Sequence, residues 1–383
     1  MLKSGSSQYV EFKSIDASFM GDGDGKLSSV PDSRAAIFKD KTLGLMEKNQ
    51  LMRFFKLVQG HLSGNEIALS RLNRWFYTAI AMADYDQETA EVSKDVLKTK
   101  DGINRLALYS SSVGRFQNAL GALIYPIYGQ GELPQAFCRR AAVKGCLYVL
   151  RMPVISLLMD KDSGSYKGVK LASGQDIFSH KLVLNPSFTV PRSLASSQCE
   201  QLQESFQVFS LADDKGKVAR GICISRISLK PDLANFVVIY PPRSLFPEQV
   251  ASIQVLQLGG NLAVCPPGMF VLYFSALCDE VNQGKKLLHA ALNALQKLLV
   301  TESAENSSTS QREDAEEIKP GLLWSALYIQ DLSVGQFGSI SFTPSPDGNL
   351  SYNDLLDETE KLFEKIYPNE EFFPETRFTR ESQ

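Results

Sequence analysis

The groups in this sequence able to do chemistry are few and dispersed. Three histidines, His61, His180 and His289, lie far apart along the chain. Six cysteines, Cys138, Cys146, Cys199, Cys223, Cys265 and Cys278, include no Cys-x-x-Cys pair. Neither H-E-x-x-H nor a Cys-x-x-Cys…His pattern occurs, so the spacing offers no metal site. The thiols stand in apolar segments, which predicts reduced, mostly buried side chains. There is no Gly-x-Ser-x-Gly turn, no evident Cys–His couple and no paired-carboxylate spacing. Two glycine-rich turns hold what chemistry remains.

The first is GDGDGK at 21–26. As a calcium loop it fails, because the twelfth position counted from Asp22 is Ser33 where a bidentate Glu is needed. As a phosphate loop it also fails, because Lys26 is followed by Leu27 and position 20 is Met. The glycines suit positive φ, which predicts a hairpin turn.

The second is Gly129-x-Gly131-x-x-Pro134, after the strand-like ALIYPIY and before a helix that should begin near Pro134. A dinucleotide turn is Gly-x-Gly-x-x-Gly. Here proline takes the place that close helix–strand packing reserves for glycine, and Glu132 puts a carboxylate where a pyrophosphate would sit. A desolvated carboxylate repels phosphate, whereas beside the helix dipole it is stabilised by about 0.3–1 kcal/mol. Glu132, Gln135 and Arg139 share one helix face by spacing. That row is either protein-binding material or plain solvated surface, as is Arg140.

The elements around these turns follow from periodicity. Residues 8–38 read as strand and turn, and 38–118 as helices, with Leu45, Leu51, Phe54, Phe55 and Val58 at helical spacing and Gly60 as a stop. VISLLMDKDSGSYKGVKLA reads as a hairpin turning at Asp162-Ser163-Gly164, and HKLVLNPSF as a further strand. FVVIYPP, ASIQVLQLG, MFVLYFSALC and LLWSALYIQDL read as strands. GKKLLHAALNALQKLLV is amphipathic, with Leu288, Leu292, Leu295 and Leu299 on a core-facing stripe. The acidic, Ser-rich 301–317 reads as a mobile loop. A last helix covers SYNDLLDETEKLFEKI, capped by Ser351 or Asn353. This mixture predicts an α/β (α+β) fold.

With 383 residues the chain can form more than one domain, and its 44% hydrophobic and 22% charged content are those of a folded protein. A net charge of −3 supplies no general attraction to nucleic acid. No apolar run reaches membrane-spanning length, the start lacks a signal-peptide core, and the end carries no prenylation cysteine.

YPIYGQGELPQAFCRRAAVKGCLYVLR resembles the sequence signature of the Rab escort protein / Rab GDP-dissociation inhibitor family. So do LKSGSSQYVEFKSIDASFM…GKLSSVPDSRAAIF and EKNQLMRFFKLV. DVLKTKDGINRLALYSSSVGRF, GICISRISLKPD and LFEKIYPNEEFFPE look most like the escort branch, its plant members above all. The resemblance covers almost the whole chain. It implies a large mixed-sheet domain related in fold to flavin oxidases, in 1–37 and 121–383, with a smaller helical domain at 38–120 inserted. No flavin or other cofactor is implied.

The resemblance also implies a function: a non-catalytic escort in the cytosol, transiently at membranes, that binds GDP-bound Rab GTPases. It would present them to the Rab geranylgeranyltransferase α/β heterodimer and carry the geranylgeranyl lipid on the product. The implied Rab platform falls at Glu132, Arg139, Leu147, Tyr148 and Val149. Leu147 and Val149 depart from the Thr and Met of the inhibitors, which makes those contacts apolar. Transferase docking is implied at Tyr109, with Arg115 in the same segment. Full members begin with a glycine-rich βαβ segment and a second Rab-contacting motif, so roughly the first third of the family pattern is expected to be missing here. The alternatives are a Rab recycling inhibitor and a non-functional or regulatory fragment.

Overall fold

The computed structural model describes residues 1–30, 34–40, 43–62, 107–109, 111–117, 121–185, 202–205, 216–307, 321–332, 336–337, 339–346, 348 and 352–374. Most of the proposed helical domain therefore lies outside the described residues, which hold only its entry helix Leu45–Leu62 and the turns around Tyr109 and Arg115.

A seven-stranded sheet organises the chain. Its strands are β2 (Ala17–Gly21), β3 (Leu27–Ser29), β10 (Lys217–Ser225), β11 (Phe236–Tyr240), β12 (Ile253–Gly259), β13 (Phe270–Cys278) and β14 (Leu322–Asp331). They lie in the order β14-β10-β13-β12-β11-β2-β3. Only β2 and β11 run parallel. The hairpin expected at GDGDGK is there, joining β2 to β3, with Asp22 Oδ1 accepting from the Asp24 and Lys26 amides.

One face of the sheet is covered by the helix Val281–Ser307, whose Leu288, Leu295 and Leu299 are buried and whose Leu292 is partly so. Each leucine so buried contributes about 1.5–3 kcal/mol. Gly284 lets the helix approach: a Cβ there would stand 2.7 Å from Ile329 Cδ1 and 2.8 Å from Cys278 Sγ. The helix continues to Ser307, so the first part of the segment expected as a mobile loop is helical. Glu and Ala propagate a helix well, and no Pro or Gly interrupts TESAENS.

The other face receives Ile15 and Tyr125, packed with Val237, Leu258 and Leu262. Tyr125 belongs to β4 (Ile124–Pro126), which pairs with β1 (Phe12–Ser14). This ribbon delivers the chain to the second glycine turn.

A second body holds β5 (Val154–Asp160), β6 (Tyr166–Leu171), β7 (Asp176–Phe178) and β9 (Leu202–Ser205), in the order β7-β6-β5-β9. The expected hairpin joins β5 to β6. Beside it, β8 (Leu182–Leu184), β15 (Gln336–Phe337) and β16 (Ile340–Phe342) form a small sheet. Leu157, Met159, Tyr166, Ile340 and Phe342 make the shared core.

Two boundaries and the burial of the thiols differ from expectation. The entry helix runs through Gly60 to Leu62, since one glycine costs only about 1 kcal/mol and does not itself end a helix. The last helix starts at Asn353 with Tyr352 at the cap position and no side-chain cap bond. Of the described cysteines only Cys223 and Cys278 are buried, and Cys146 is exposed.

Candidate functional site

The turn after β4 is built by backbone demands. Gly129 is buried with φ +100, a conformation that only glycine adopts without strain. Its amide bonds the Pro126 carbonyl oxygen, and the Tyr128 amide bonds that of Leu262. Gly131 is different: its φ of −60 suits any residue, and a Cβ there meets nothing within 4 Å.

The helix starts at Glu132, two residues before Pro134, and runs to Val143. Proline inside the first turn is tolerated because that turn's amides lack intrahelical partners. The amides at the helix entrance are already engaged. Glu132 donates to Gly129, Leu133 to Gln130 and Gln135 to Gly131. The Tyr125 hydroxyl is buried near the Gln130 backbone. Burial, with smaller effects of Tyr273 and Tyr352, pushes that hydroxyl above its ordinary range. This is a helix start held by its own turn, with Glu132 half-buried in it.

The two arginines separate. Arg140 donates from Nε to the Ser4 carbonyl oxygen at 3.2 Å, beside Gly5, whose Cα would carry a Cβ only 3.4 Å from the guanidinium. Arg139 is exposed. Adjacent in sequence, one anchors the chain's opening turn and the other faces solvent.

Beyond Val143 the chain reverses at Gly145, which has φ +94. Tyr148 then lies back on the helix, its hydroxyl donating to the Cys138 carbonyl oxygen at 3.1 Å. The thiols of Cys138 and then Cys146 raise that hydroxyl above its ordinary range. Leu147 is 90% exposed, Tyr148 46% and Val149 62%. Leu150, which the sequence did not single out, is 80% exposed, and Val143 71%. The structure thus brings Glu132, Arg139, Leu147, Tyr148 and Val149 onto one helix and its return. An exposed apolar run flanked by a charged helix suits association with another protein. The run LYVL was legible as apolar, but its exposure was not, because no partner strand can be read from sequence.

Tyr109 and Arg115 occupy a different segment. Tyr109 is helical, as are residues 111–112, and its carbonyl oxygen accepts the Val113 amide. The Arg115 guanidinium lies 5.9 Å from the centre of the exposed Phe116 ring.

Known proteins match this arrangement. The family model described as GDP dissociation inhibitor covers residues 1–304. Rab escort protein 1 of Arabidopsis thaliana is 54% identical over 404 residues, spanning 98% of this chain and 72% of that protein. Rab proteins geranylgeranyltransferase component A 2 of Homo sapiens is 28% identical over 394 residues, spanning 98% of this chain and 55% of that protein. The chain thus spans a little over half the length of this human relative. Among solved structures, a Rab GDI from Plasmodium falciparum superposes with a TM-score of 0.64 at 18% identity. It covers 95% of this chain and 78% of that one, a likeness of fold.

Proposed function

The chain belongs to the GDP dissociation inhibitor family, and we propose that it acts as a Rab escort protein, a non-catalytic accessory to protein prenylation. It binds a Rab GTPase in the GDP form and presents the Rab C-terminus to the Rab geranylgeranyltransferase α/β heterodimer. It then carries the geranylgeranylated product through the cytosol to a membrane. One observation carries this reading: Glu132, Arg139, Leu147, Tyr148 and Val149 share one helix and its return, the last four exposed, in a chain 54% identical to an escort protein.

The physics of the task fits these groups. Glu132 and Arg139 orient a charged GTPase surface and speed the encounter. Leu147, Tyr148 and Val149 supply the desolvated centre of the contact. Tyr109 and Arg115 are the proposed transferase contact, an aromatic and a cation in one segment. The lipid gains about 0.8 kcal/mol for each CH₂ taken from water, enough for the carrier to compete reversibly with a membrane. Among the described residues no helix is long and apolar enough to cross a membrane.

A Rab recycling inhibitor is the second reading; the family match over residues 1–304 suggests it, and the 54% identity to an escort protein supports the escort more strongly. It uses the same platform without a transferase. A pull-down with GDP-loaded Rab, with and without transferase subunits, separates the two. Escort activity predicts a Rab complex that retains transferase. A Rab complex that never retains transferase supports the recycling inhibitor. No Rab complex at all leaves the platform inherited but idle.

A further inference from the structure

The seven-stranded sheet ends in two unlike edges. On one side β3 offers three residues, Leu27–Ser29. On the other, β14 offers ten, Leu322–Asp331, and among the described residues no strand lies against its outer side. Native sheets ordinarily keep an edge strand short, or guard it with lysine, proline or an internal charge. LLWSALYIQD has no lysine and no proline, and its one charge, Asp331, stands at the end. Leu323, Trp324 and Tyr328 are exposed along it, at 42%, 52% and 46%.

The strand is held from within. From Trp324 to Asp331 it pairs residue by residue with β10, and the one irregularity lies before Trp324. Leu327 and Ile329 pack against the core beneath the helix Val281–Ser307. Gly221 makes room for the strand, since a Cβ there would stand 2.8 Å from Leu327 Cδ2. A pairing partner therefore meets a template already ordered, which lowers the entropy cost of association.

The sequence of β14 is close to a palindrome about Ala326. Trp324 and Tyr328 stand two positions either side of it, and Leu323 and Ile329 three. Trp324, Ala326 and Tyr328 share one face by alternation. Laid antiparallel on a second copy, with the two-fold axis at Ala326, Trp324 of each copy faces Tyr328 of the other. Leu323 likewise faces Ile329, and Ala326 faces itself and leaves room for the rings. A register centred on Ser325 or on Leu327 would set Trp324 against Ala326 or Gln330 instead. Asp331 falls opposite Gly321, so no like charges meet.

We propose that the chain self-associates through β14, two copies pairing antiparallel about a two-fold axis at Ala326, so that their sheets run on as one. The palindrome names the occupant: self-pairing needs it, and a foreign strand does not. The proposal does not rest on the Rab reading above.

The contact is modest in size. Pairing residues 322–330 supplies roughly eight to ten ladder hydrogen bonds, as many as an ordinary interface carries. The four rings are each about half open, so they cover roughly 300–500 Å². A standard interface buries roughly 1,200–2,000 Å². The dimer is therefore concentration-dependent, not obligate.

Sedimentation of the whole chain from about 1 to about 100 μM tests this. The mass should climb from 42.4 kDa toward twice that value as concentration rises. Ala326→Lys sets two ammonium groups face to face and should hold the monomer mass throughout, with an unaltered melting temperature. Should that variant fail to fold, Trp324→Lys replaces it, at a side chain already half in solvent, with the same monomer mass expected. Directly opposed residues carry Cβ atoms about 4.5–5.5 Å apart, so Ala326→Cys under mild oxidation should cross-link the two copies at position 326, located by peptide mass spectrometry. Monomer mass at every concentration overturns the proposal. So does a dimer that persists in a folded lysine variant, or one whose Ala326→Cys form cross-links only elsewhere.

Discussion

Arg140 donates from Nε to the Ser4 carbonyl oxygen across 3.2 Å, tying the opening turn of the chain to the last turn of the platform helix. Arg139, its neighbour, is exposed. Arg140→Ala should lower stability by about 1–2 kcal/mol through the lost charged hydrogen bond. Arg139→Ala should change it by less than about 0.5 kcal/mol. Urea unfolding of the two variants checks both values.

The two glycines of the turn should respond in opposite ways. Gly129→Ala forces a side chain into φ +100 and should cost about 1–3 kcal/mol. Gly131→Ala enters open space at φ −60 and should cost no more than about 0.5 kcal/mol. Thermal melts of both variants decide this. A turn built to cradle a ligand at Gly131 would instead show impaired function from the second change alone.

Tyr148 combines an anchor with a proposed Rab contact. Tyr148→Phe removes the hydroxyl bond to Cys138 and keeps the ring. It should loosen the return by about 0.5–1.5 kcal/mol, read as faster amide exchange at Cys146 and Tyr148. Tyr148→Ala removes the ring as well and should weaken Rab binding about tenfold or more.

Burial pushes the Cys223 thiol from its ordinary 9.0 up to about 11. In the unfolded chain that thiol ionises first, so unfolding is favoured as pH climbs. The stability linked to its burial is whole below pH 9 and is lost as pH rises to about 11. The urea midpoint should fall across that window, and fall less steeply in Cys223→Ala. A thiol reagent at pH 8 should label Cys146 and spare Cys223, since only the former is exposed.

Much of this architecture was legible in the residues. The 3.6-residue stripe of Leu288, Leu295 and Leu299 named the face that meets the sheet, and those side chains are buried. Alternating apolar runs named β11 to β14, and the glycines of GDGDGK named the β2–β3 turn. What could not be read was long-range partnership. The parallel pairing of β2 with β11 joins residues such as Phe19 and Val238, which no local pattern relates. Strand β10, with a glycine at its centre, was not singled out at all, though it pairs with β13 and β14.

The site divides in the same way. Glu132 beside a helix start was a local signal and could be weighed against phosphate from charge alone. The separation of Arg139 from Arg140 depends on Ser4, more than a hundred residues distant, and was invisible. The return of Tyr148 onto the helix needed the geometry at Gly145. The exposure of Leu147 and Leu150 followed from that reversal, which the apolar letters alone would have sent to a core.

The most direct measurement is a titration of GDP-loaded Rab against this chain and against Leu147→Asp. Leu147 is 90% exposed, so the change should leave the melting temperature unaltered. The account predicts saturable binding by the chain and at least about tenfold weaker binding by the variant, where a carboxylate enters the apolar contact. Equal binding by two equally folded proteins would contradict it and move the Rab contact away from the Glu132–Val149 segment.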